Sequence, residues 1–71
     1  MFITIQNTTF NITRISFICI NQVEKNVVKV RTCDEHDSYH SFRYEDEKAA
    51  AKAFKEINCA ISEQQRLYGR N

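Results

Sequence analysis

The stretch Ile15-Ser16-Phe17-Ile18-Cys19-Ile20 decides how this chain is read. It is apolar at both odd and even positions. Successive side chains of a strand point to opposite faces, which sends Ile15, Phe17 and Cys19 one way and Ser16, Ile18 and Ile20 the other. A strand with one covered face alternates apolar and polar residues, whereas a continuous apolar run marks a strand covered on both faces. The rest of the chain offers one long helix, enough to cover one side. A second copy of the chain is the simplest cover for the other.

Upstream, residues 2–6 alternate, with Ile3 and Ile5 on one face, and read as a strand. Asn7-Thr8-Thr9 is turn chemistry, and residues 10–12 return as a short strand. Apolar parity then changes from Phe10 and Ile12 to Ile15 and Phe17, which predicts a bulge or corner near Thr13-Arg14. Residues 14–21 form the strand quoted above, and residues 22–26 a polar hairpin connection. Residues 27–33 carry Val28 and Val30 on one face and Lys29 and Arg31 on the other. Residues 34–38 are a charged turn. Residues 39–44 place His40, Phe42 and Tyr44 on one face and Tyr39, Ser41 and Arg43 on the other.

Asp46 is the expected N-cap of the helix, with Glu47 favourable at its positive end. From there Ala50, Ala53, Phe54, Ile57, Ala60 and Ile61 recur at three and four, and Tyr68 extends the stripe. A helix of about 22 residues is roughly 33 Å long, against about 20 Å for a six-residue strand. The last turns therefore overhang the sheet, and residues 63–66 are polar enough to fray, although Leu67 and Tyr68 would then be stranded. Gly69 is a suitable stop. The resulting fold class is α+β: an antiparallel four- to five-stranded sheet within residues 2–44, followed by one long C-terminal helix over about 46–68 packed on one face. The 71 residues make a single small domain, 1–71.

Size and charge restrict function. A chain of this length buries only about 60% of its unfolded surface, which leaves it marginally stable without a staple or a partner. Ten basic residues against nine acidic give a formal charge of +1, unlike the strong basic excess of a dedicated duplex-DNA binder. No run approaches the 18 or so apolar residues of a membrane span, and the first residues lack the basic start and small-residue cleavage site of a signal peptide. Three cysteines, none close in sequence, then read as reduced thiols in a cytoplasmic protein. The sequons at Asn7 and Asn11 read as turns rather than glycan sites. The Ile, Asn and Lys content resembles that of short reading frames from AT-rich genomes, many of them in phages and mobile elements.

Three kinds of chemistry are present in outline. Cys33, His36 and His40 are zinc-competent ligands, but their spacing is wrong for a finger and a second cysteine is missing. They are weak candidates, and no metal or cofactor is expected. Lys29, Arg31, Tyr39 and Arg43 share a face if the last two strands form a hairpin, which resembles a single-strand nucleic-acid platform. A plain solvated face has the same composition. His36, His40 and Cys33 also offer bases and a nucleophile, yet nothing supplies an oxyanion hole, a glycine-rich loop or paired carboxylates, so no enzyme is expected. Cys59 falls on the polar side of the helix, about 200° from Ile57.

The expectation is a non-enzymatic binding protein acting as a homo-oligomer, a dimer, with Ile18, Ile20, Leu67 and Tyr68 at its interface. Its composition suggests a phage or mobile-element accessory protein that inhibits a host defence system by occupying a host protein or an acidic ligand. The alternative is a single-stranded nucleic-acid-binding protein using the basic and aromatic sheet face.

Overall fold

The computed structural model describes residues 1–34 and 38–68, the side chains of 66–68 excepted. Strands β1 (Phe2–Ile5) and β2 (Thr8–Asn11) form an antiparallel hairpin, and β3 (Ile15–Ile20), β4 (Val27–Thr32) and β5 (His40–Arg43) a separate antiparallel sheet in the order β3-β4-β5. Helix α1 (Glu47–Tyr68) follows. The architecture is α+β, but the strands divide into sheets of two and three instead of one sheet of four to five.

The division has a local cause. Between β2 and β3 the chain makes a 3₁₀ turn at Ile12–Arg14, the expected corner. The Asn11 side-chain oxygen accepts from the Thr13 N–H at 3.1 Å and from the Thr13 hydroxyl at 2.8 Å, which closes the turn and gives this sequon its structural use. β2 therefore reaches the larger sheet through side chains. Phe10 sets its ring edge-on to His40 at 5.1 Å and to Phe42 at 6.0 Å. The first hairpin turns at Gln6-Asn7, earlier than the Asn7-Thr8-Thr9 reading, with Thr8 and Thr9 already in β2. Gln6 takes a left-handed backbone (φ 53°) and donates its side-chain amide to the Arg43 carbonyl at 2.8 Å, tying the hairpin to β5.

The apolar strand resolves differently from its simple alternation. The register shifts between Ile15 and Phe17, so Ser16 is an extra residue against β4: Ile15 faces Thr32, Phe17 faces Arg31, Ile18 faces Val30 and Ile20 faces Val28. A one-residue bulge exchanges the faces of everything before it. Ile15 therefore joins Ile18 and Ile20 on the side that packs toward the core, and Phe17 and Cys19 take the other. By this register Ile18 and Ile20 lie on the face opposite Lys29 and Arg31.

The core lies between the sheet and the helix. Val28, Val30 and Ala50 are fully buried, and Ile5, Phe10, Phe42 and Ile57 join them, with Ile18, Ile20, Phe54 and Ile61 partly buried around them. The helix starts as its sequence directs: the Asp46 carboxylate accepts from the Ala49 N–H at 2.8 Å. It does not fray at residues 63–66. Gln64 continues the Ala50, Ile57 stripe and is 7% exposed, its side-chain oxygen without a hydrogen-bond partner.

Candidate functional site

One face of the three-stranded sheet is covered by α1. The opposite face holds the side chains at the alternate positions. Three rungs cross it. Phe17 on β3 lies opposite Arg31 on β4, and Tyr39 stands just before β5 beside them. Next comes Cys19, Lys29 and Ser41, and then, at the hairpin end, Val27 and Arg43. The first rung is an aromatic, guanidinium, aromatic row. The Arg31 guanidinium lies 5.3 Å from the Phe17 ring centre and 5.1 Å from that of Tyr39, and the two rings are 5.9 Å apart. The Lys29 ammonium sits 5.0 Å from the Tyr39 ring.

The attraction between a cation and a ring face, about 0.5–1 kcal/mol at an exposed site, arranges this row without a core beneath it. Phe17 is 39% exposed and Tyr39 42%, so each ring keeps an accessible surface. A shallow cleft of about 360 Å³ continues from Phe17 past Cys19 and Lys29 to Asn21 and Gln22. Such a surface can stack planar groups and neutralise negative charge. It holds no general acid–base pair within reach of a nucleophile among the described residues.

Of the four residues expected on this face, Lys29, Arg31 and Tyr39 are brought together. Arg43 shares the face but stands four residues along the strand from Tyr39, about 13 Å at 3.3 Å per residue, where it pairs with Glu24 at 3.1 Å. Phe17 was missed, and the signal for it was present. A hairpin connection over 22–26 sets Asn21 opposite Val27, and counting back sets Ile18 opposite Val30 and Phe17 opposite Arg31. In the structure the Asn21 N–H donates to the Val27 carbonyl at 2.9 Å, and the Asn21 side chain caps the connection by accepting from the N–H groups of Val23 and Glu24.

Of the metal candidates, two are described. His40 turns to the covered side against Phe10, while Cys33 is exposed beyond β4; His36 lies outside the described residues. No group of three His, Cys, Asp or Glu suited to a metal occurs among the described residues. Of the expected interface residues, Ile18 and Ile20 border the core, half-buried. The side chains of Leu67 and Tyr68 lie outside the described residues. Among the described residues, no helix is long and apolar enough to cross a membrane.

A second, smaller cleft of about 190 Å³ separates β1 from α1, lined by Ile3, Gln6, Tyr44, Ala53 and Glu56 among others. Burial, and next the nearby Glu56 carboxylate, push the Tyr44 hydroxyl above its ordinary range. A neutral phenol beside a carboxylate gives this cleft no activated group at neutral pH. No family model, curated protein or solved structure matches this chain.

Proposed function

We propose that this is a non-enzymatic binding protein whose open sheet face takes single-stranded nucleic acid. The observation that carries the reading is the Phe17, Arg31, Tyr39 row with Lys29 beside it, on the sheet face that α1 leaves uncovered. Bases stack on aromatic rings and on guanidinium planes, while ammonium and guanidinium groups neutralise phosphates. The overall charge of +1 makes the local clustering of cations, rather than a general basic field, the source of attraction. Duplex DNA fits poorly, because its bases present no free faces to stack. The phage-inhibitor expectation rests on composition and has no geometric counterpart among the described residues.

Two phosphate contacts, from Lys29 and Arg31, give a logarithmic salt slope of about −1.4 for a single strand, so affinity falls about sevenfold for a fourfold rise in salt. Fluorescence anisotropy with labelled oligothymidine and oligouridine, in a salt series, tests this. Saturable binding with that slope, lost in Lys29→Glu/Arg31→Glu while the circular dichroism spectrum is unchanged, is the expected result. Absence of binding at low salt sinks the reading.

A further inference from the structure

The free edge of β3 has the chemistry of a strand-pairing site. β3 pairs with β4 alone, so its far edge carries no ladder among the described residues. The geometry of an antiparallel pair says which groups face that edge, because hydrogen-bonded and non-bonded rungs alternate. The Asn21 N–H bond to the Val27 carbonyl makes Asn21 and Val27 a bonded rung. Cys19 and Phe17 therefore turn their main-chain groups toward β4, and Ile18 and Ile20 turn theirs outward.

Native sheets protect such an edge with lysine, proline, a charge or a bulge. β3 has no charged residue and no proline, and its bulge at Ser16 guards only the N-terminal end. Ile18 and Ile20, although they face the helix side, stay half-buried because the strand has no neighbour beyond it. The helix contributes to the same border. Its Ala53 and Glu56 flank meets β1. Phe54, Asn58 and Ser62 lie about 100–180° round from Ala53, on the flank away from β1, and with Lys55, Cys59 and Glu63 line a groove of about 510 Å³.

We propose that β3 pairs with β3 of a second copy of this chain, antiparallel, about a two-fold axis at Cys19, to give a continuous six-stranded sheet. Ile18 of each copy then bonds Ile20 of the other, the one register in which the outward groups of these two residues satisfy each other and avoid the bulge. An uncharged strand run against itself is self-complementary, which is the requirement of an isologous contact. Association through the open faces would instead set Lys29 and Arg31 of one copy against those of the other. A standard interface takes about 800 Å² from each partner, a little under a sixth of the 5208 Å² surface. The half-buried isoleucines and the Phe54 flank extend the contact beyond the backbone ladder toward that size. The axis is normal to the sheet, so both helices lie on one side and both Phe17, Arg31, Tyr39 rows on the other. The pairing stands independently of the nucleic-acid reading.

Cys19 reports directly on the register. At the axis it faces its own copy across a non-bonded rung, with Cα atoms about 4.5 Å apart, at the short end of the roughly 4.4–6.8 Å range that disulfides span. In a Cys33→Ser/Cys59→Ser variant, the added diazene oxidant diamide should take one hydrogen from each Cys19 thiol, becoming the hydrazine as the S–S bond closes. The expected products are a covalent dimer on a non-reducing gel and, before oxidation, a light-scattering mass twice the 8.4 kDa of the chain. Cys19→Lys, which leaves the core untouched and restores a guarded edge, should run at 8.4 kDa with an unchanged circular dichroism spectrum. A parent protein of 8.4 kDa without a Cys19 crosslink overturns the pairing, as does a dimer that persists in Cys19→Lys. Loss of oligonucleotide binding with the dimer intact counts only against the sheet-face function.

Discussion

The two faces of the three-stranded sheet come from alternate residues of the same strands, and they divide the labour of the molecule. On β4, Val28 and Val30 are fully buried under α1, while Lys29 and Arg31, one residue along, stand over exposed aromatic rings on the other side. On β5, Phe42 is buried and Ser41 is exposed. The covered face carries stability through apolar burial, and the open face, under the proposed function, carries recognition through groups that add little to stability. Substitutions should therefore separate cleanly into those that unfold the chain and those that disarm it.

The strongest break in that comparison is Ile57→Ala, which removes the helix residue at the centre of the covered face, 3% exposed. It should cost about 2–5 kcal/mol, from a total of roughly 4–11 kcal/mol for a chain of this length. A urea midpoint shifted by less than the equivalent of about 1 kcal/mol would contradict the packing described. Phe17→Ala tests the open face. Its unfolding free energy should change by no more than about 0.5 kcal/mol, while oligonucleotide affinity drops by the 1–3 kcal/mol or so that a stacked base contributes. The reverse pattern, a large stability loss with binding kept, would make Phe17 part of the core.

Smaller changes probe the cover itself. Asp46→Ala deletes the carboxylate that accepts the Ala49 N–H and should lower stability by about 1 kcal/mol, seen as a melting temperature reduced by roughly 4–8 °C. Oligonucleotide affinity should be unchanged below the transition. The smallest effect is at Tyr44, on the margin of the covered face. Its folded-state pKa is raised, by burial first and Glu56 second, so the folded chain holds a proton that the unfolded chain loses near its ordinary value of about 10. Stability is therefore full below that value and declines as pH rises through the folded-state one. Tyr44→Phe should remove that part of the decline in urea midpoints taken from about pH 9 to pH 11; an identical decline in both proteins would assign it elsewhere.

Much of this was legible in the sequence, and the failures have particular causes. The helix, its Asp46 cap and its buried stripe followed from periodicity and capping chemistry. So did the alternation of β4 and β5, because a valine and a lysine one residue apart on a half-covered strand have only one sensible arrangement. The polar character of residues 63–66 misled, because Gln64 sits at a helical position that packing buries whatever its side chain. The open-face site was three-quarters legible: Lys29, Arg31 and Tyr39 meet, Arg43 stands apart with Glu24, and Phe17 was assigned to no site although hairpin counting reaches it.

By itself, the sequence determined the elements, because helix periodicity, strand alternation and turn chemistry act over a few residues. It also determined that β3 has apolar groups for two faces. Only the tertiary structure decided which groups go where. The bulge at Ser16 turns Ile15 inward, and the ladder to β4 sends Ile18 and Ile20 with it, leaving Phe17 beside Arg31. The 3₁₀ turn at Ile12–Arg14 likewise separated the first hairpin from the larger sheet. Pairing is a long-range choice, settled by how the whole set of side chains fills the space under one helix, and a single residue of slip reverses every face it touches.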